Sequence, residues 1–185
     1  MLTPHRRIVI GVLIACALVL LLAGTATAQP TTDADSAASR VYRLGVQSIY
    51  RNACFDPCDC VIDVRSPLEG TMILTPRPLT TPGTRVFAVS DVNFRITIGG
   101  ATQLVRGRGV YTWSTSIGML TVLGHRLELD LTVGDAPLQH FDSGLVPGAT
   151  VGEFPPINIV IDKNNQVCVD EVLTIAATPV DEREI

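Results

Sequence analysis

From Arg85 to Thr115, apolar side chains recur at every second position, and that rhythm restricts the fold more than any other feature of the chain. Val86, Ala88, Val92, Phe94, Ile96 and Ile98 alternate with Asp91, Asn93, Arg95 and Thr97. A period of two sends successive side chains to opposite faces of a pleated strand, so one face can be buried while the other is solvated. Gly99-Gly100 then supplies two residues that reach positive φ without steric cost, as a tight two-residue hairpin requires. The return strand is expected from about Thr102 to Thr115, with Leu104, Val110, Tyr111 and Trp113. Gly107 and Gly109 within it predict a bulge or bend of the kind that curls a sheet.

The same rhythm flanks this hairpin. Tyr42, Leu44, Val46 and Tyr50 share one parity, with Arg43, Gln47 and Arg51 on the other, although a short amphipathic helix competes for this stretch. Val61 to Arg65 reads as a short strand broken by Ser66-Pro67 and resumed from Gly70 to Thr75. Pro76 to Gly83 holds three prolines and is expected as a loop or edge segment. After a turn at Ser116-Ile117-Gly118, residues 119–133 set Leu127, Leu129, Leu131 and Val133 against Glu128, Asp130 and Thr132. Residues 136–141 add a further strand, and 142–156 is a long Gly/Pro-rich loop. A closing hairpin follows, with strands at 157–161 and 166–177 around a turn at 162–165. These signals predict an all-β domain over residues 41–179, a single antiparallel barrel or sandwich of about eight to ten strands. Residues 180–185 are charged and expected to fray.

The N-terminus has a different grammar. His5-Arg6-Arg7 precedes an apolar run of sixteen residues, Ile8 to Ala23, and Ala26 and Ala28 sit at the −3 and −1 positions of a signal-peptidase site. Residues 1–28 therefore read as a cleavable signal helix, shorter than the ~20 residues of a permanent membrane span. An uncleaved anchor is one alternative. Lipidation at Cys16, within Leu13-Ile14-Ala15-Cys16, is another, but Cys16 is followed by apolar residues instead of a polar tether. Residues 29–40 are small and polar and read as a disordered leader. The expected location is secreted or periplasmic, with cell-surface attachment as a variant.

Charge excludes one class of partner. The chain carries a net charge of −4, and removal of residues 1–28 takes Arg6 and Arg7 with them, leaving −6. An acidic domain with scattered arginines repels polyphosphates, so nucleic-acid binding is not expected. No second apolar segment reaches membrane-spanning length.

Cys54-Phe55-Asp56-Pro57-Cys58-Asp59-Cys60 is the most distinctive segment, and Cys168 is the only other cysteine after the leader. An even count in an oxidising compartment predicts two disulfides. A Cys58–Cys60 bridge would close a very small, strained ring, so either Cys58 or Cys60 is expected to join Cys168, with Cys54 taking the other. The rival reading is a thiolate metal site with Asp56 or Asp59 nearby, but C-x₃-C-x-C lacks the paired C-x₂-C knuckles of zinc ribbons.

No segment commits the chain to catalysis. Ser143, His140 and Asp142 contain the residue types of a triad, but they are sequence neighbours without a G-x-S-x-G elbow. His125, the other histidine after the leader, begins a strand, and both histidines read as surface or loop residues. Asp63, Glu69, Asp91, Glu128, Asp130, Asp142, Glu153, Asp162, Asp170 and Glu171 offer acids and bases, yet no spacing singles out a facing pair. Asp162-Lys163-Asn164-Asn165 lacks the glycine and terminal glutamate of a calcium loop. The sequence points to no cofactor and to no metal ligand set.

The segments Cys54–Cys60, Phe87–Phe94, Arg126–Leu131, Phe141–Gly144 and Cys168 together resemble a group of uncharacterised exported bacterial proteins of planctomycete-like genomes. The resemblance covers most of the chain after the leader and implies an exported β-domain. It implies no activity and gives no residue a role. The reading that follows is a disulfide-stapled structural or binding module, not an enzyme, meeting an extracytoplasmic partner or small ligand. If the domain is a barrel, its interior could hold a small apolar ligand. A carboxylate-based hydrolase and a cysteine-cluster metal protein are the alternatives.

Overall fold

The structure is a computed structural model that describes residues 38–78, 81–115, 123–148 and 152–180. The expected signal peptide, Cys16, most of the leader and the turn at Ser116–Gly118 lie outside the described residues. Among the described residues there is no helix. Eleven strands form one antiparallel sheet: β1 (Arg40–Leu44), β2 (Ile49–Cys54), β3 (Asp63–Pro67), β4 (Glu69–Pro76), β5 (Thr84–Ile98), β6 (Ala101–Ser114), β7 (Gly124–Val133), β8 (Gln139–Asp142), β9 (Val146–Pro147), β10 (Ile157–Asp162) and β11 (Val169–Pro179).

The hydrogen-bonded order runs β1-β4-β5-β6-β7-β8-β10-β11, and β11 pairs back with β1 through Tyr42↔Pro179 and Leu44↔Ala177. Eight strands therefore close a barrel, which removes the exposed edges of an open sheet. β11 serves two neighbours on the same side. Its first half pairs with β2 (Val169↔Cys54 to Thr174↔Ile49), its last residues pair with β1, and β3 lies outside β2. The seam between β8 and β10 is narrow, a single bridged pair, Asp142↔Asp162.

The interior is a packed core of side chains. Phe87, Phe94, Tyr111, Leu127, Leu129, Leu131, Phe141 and Ile161 are all fully buried. The sequence raised the barrel lumen as a site for an apolar ligand; these side chains fill it instead. Each large apolar group so buried contributes about 1.5–3 kcal/mol relative to exposure.

Two local expectations change. The bulge falls on β5, where Ser90 and Asp91 oppose the single residue Arg108 and Asp91 adopts φ 49°. This extra residue shifts the phase, so Phe87 and Val89 point inward before it and Val92, Phe94 and Ile96 after it. Val86 and Ala88 are accordingly not the inward set. On β6, Val105, Tyr111 and Trp113 are buried, whereas Leu104 is exposed. Gly107 and Gly109 make room rather than a bulge: a Cβ on either would overlap the carbonyl oxygen of Asp130 or Glu128 on β7. Gly99 and Gly100 form the expected hairpin turn, with φ 59° and 83°.

Smaller departures follow from tertiary contacts. Val46 is fully exposed because it belongs to the turn between β1 and β2. Ser66-Pro67 ends β3 without breaking it, since Ser66 is buried and its Oγ accepts a hydrogen bond from Thr97 N. Arg40 pairs with Leu74, so the first strand reaches into the expected leader. Val180 is buried and donates its N–H to Val41 O, so the domain extends one residue into the expected tail.

Candidate functional site

The cysteine segment sits where β2 ends and β11 begins. Cys54 is bonded to Cys60 and Cys58 to Cys168, one of the two pairings that the sequence left open. Backbone bonds knit the corner: Cys54 N to Ile62 O, Phe55 N to Cys168 O, and Cys58 N to Phe55 O. The Arg51 guanidinium lies over the Phe55 ring at 4.9 Å and also binds Asp63 at 2.9 Å. With Arg65 and Arg51 both on its carboxylate, Asp63 is held down to about 2. All four sulfurs are consumed in disulfides, so none is a thiolate available to a metal, and the cysteine-centred metal reading is set aside.

The triad residues do not assemble. His140 Nδ1 lies 2.8 Å from Asp130 Oδ1, not from Asp142. Asp142 is held by a two-pronged Arg126 pair at 2.9 and 2.5 Å and accepts Gly144 N at 2.8 Å. Chiefly that guanidinium keeps the Asp142 carboxyl below the usual range. Ser143 Oγ accepts from Leu127 N and donates to Gly144 O, so it fastens the chain instead of presenting a nucleophile.

What the register does bring together was not legible from spacing. Glu128 faces Asp142, which faces Asp162, placing three carboxylates in a row across β7, β8 and β10. Asp130 faces His140 two pairs along, on the same face. Arg126 Nη2 lies between Glu128 (3.1 Å) and Asp142 (2.5 Å). Apart from Asp162, at the end of β10, these lie on the solvated parity of β7 and β8, opposite Leu127, Leu129, Leu131 and Phe141. Two acids also hold the turn into β11. Asp170 is buried and accepts the N–H groups of Asn164, Gln166 and Glu171, while Asp162 accepts Asn165 N, so the 162–168 turn is self-satisfied.

Contrary to the surface position expected from sequence, His125 shares the inward parity of β7 and lies inside the barrel, with its ring Nδ1 3.2 Å from the Tyr111 hydroxyl. Burial lowers the His125 pKa and pushes Tyr111 up to about 12. The unfolded chain binds a proton below about pH 6.5 that the folded chain resists, so stability falls as pH drops through that value and levels off below the folded pKa. Denaturation midpoints at pH 7.5 and 5 should therefore differ more in the native protein than in His125→Gln. Equal differences would show that His125 titrates normally.

A surface groove of about 600 Å³ opens where the β1–β2 turn meets the β3–β4 junction. Leu44 and Leu68 line it, with Arg43, Glu69 and Arg95 also in its wall. Comparison with protein-family models, curated proteins and solved structures finds no match to this chain.

Among the described residues, no helix is long and apolar enough to cross a membrane. The paired cysteines are consistent with an extracellular or periplasmic setting.

Proposed function

We propose that this protein is an exported, disulfide-stapled barrel that acts as a binding module, with the groove between the β1–β2 turn and the β3–β4 junction as its contact surface. The observation that carries this reading is the groove itself: low-exposure leucines and charged side chains line one concavity, the usual composition of a ligand site. The export part rests on the oxidised cysteines and on the signal-like residues 1–28. The hydrolase alternative is disfavoured because the carboxylate row lies on the outer wall of the barrel, where water is not excluded.

Titration of isotopically labelled protein with short neutral and anionic oligosaccharides, followed by NMR, tests the proposal. Chemical-shift changes should concentrate at Gly45, Leu68 and Gly70, and Arg95→Ala should weaken them. Shifts confined to other surfaces would overturn it, as would turnover of chromogenic esters or glycosides that is lost in Asp142→Asn.

A further inference from the structure

Glu128, His140 and Asp142 each offer one donor atom, and these atoms lie within 4.8 Å of one another. We propose that they form a divalent-metal site of the zinc class on the outer wall of the barrel. The site lies on different strands from the groove and stands or falls independently of it.

The donor set argues for the metal class. One imidazole and two carboxylates suit a borderline ion such as Zn²⁺, whereas calcium and magnesium prefer all-oxygen cages. Three protein ligands also leave one tetrahedral position for water. The donors sit on paired strands instead of a loop, so the backbone fixes their spacing.

A separate residue orients the histidine. Asp130 occupies His140 Nδ1 at 2.8 Å, and a proton held there leaves the Nε2 lone pair for a metal. This carboxylate–histidine pairing is the usual outer support of a metal-bound imidazole. The row Glu128–Asp142–Asp162 adds a demand for positive charge, because like charges directly opposite on neighbouring strands destabilise the ladder.

Arg126 meets part of that demand now. Its Nη2 lies between the two carboxylate ligands, at the place where a doubly charged ion would be most favoured. Its side chain is 42% exposed, so it can withdraw into water as the ion enters. Arg126 is thus a built-in competitor, and removing it should strengthen the site. Sequence spacing pointed to no such ligand set, because the three donors are brought together by strand register.

Calorimetric titration of chelator-stripped protein with Zn²⁺ alone, and separately with Ca²⁺ alone, is the test. One Zn²⁺ per chain is expected. His140→Ala should weaken binding by about tenfold or more, and Arg126→Gln, which removes the competing positive charge, should tighten it by about tenfold. His140 is exposed, so its replacement should leave the circular dichroism spectrum unchanged. The His140 side-chain nitrogen resonances should also shift on Zn²⁺ addition. Absence of Zn²⁺ binding, a preference for Ca²⁺, binding unchanged in His140→Ala, or no tightening in Arg126→Gln would each overturn the site.

Discussion

Replacing both Cys58 and Cys168 by serine is expected to remove about 5 kcal/mol of stability, because that bridge closes a loop with a sequence separation of 110. The same change at Cys54 and Cys60, separated by 6, should remove only about 2 kcal/mol. The asymmetry comes from the unfolded chain: a long open loop regains far more conformational freedom than a short one when its link is cut. Domains of this size are stable by about 5–15 kcal/mol, so the first loss is a large share of the total and the second is not. Denaturant midpoints of the two double variants, measured side by side, check the ranking. Equal losses would mean that the corner stabilises through its local hydrogen bonds instead of through the long link.

The second large effect is expected at Gly109. An alanine there would drive its Cβ into the Glu128 carbonyl and within 2.7 Å of a Leu129 methyl. Neither obstacle can move easily, since one is backbone in a paired strand and the other is fully buried. Overpacking of this kind costs about 3 kcal/mol or more where relief requires a backbone shift. Gly99→Ala is the control: nothing lies within 4 Å of its added Cβ, and only the positive φ is strained, at about 1 kcal/mol. Thermal melts of the two variants should separate clearly. A Gly109→Ala protein as stable as Gly99→Ala would show that β6 and β7 can spread apart.

The period-two pattern made the all-β class legible, because each strand buries one parity and solvates the other. Phase was harder to read than period. Val86-Phe87-Ala88-Val89 is apolar at four consecutive positions, so either parity could face inward, and the extra residue at Ser90–Asp91 becomes evident only from its partners on β4 and β6. Ring closure was equally hidden, since the pairing of Tyr42 with Pro179 leaves no local trace. The cysteine segment was conspicuous because cysteine is rare and its spacing excludes one pairing. The His140 cluster was not: Glu128 and Asp142 become neighbours through a connection whose length does not fix which rungs align. The groove depended on where two turns converge, and no single stretch of sequence encodes that.

β11 holds β1 along one part of its edge and β2 along another, so a single late-made segment supplies the final stave. Tyr42 cannot meet Pro179 until more than a hundred intervening residues have emerged. Folding dominated by such distant pairings is slow. Until β11 arrives, β1 and β10 each keep an unpaired edge and the ring stays open, a half-coopered cask awaiting its last stave.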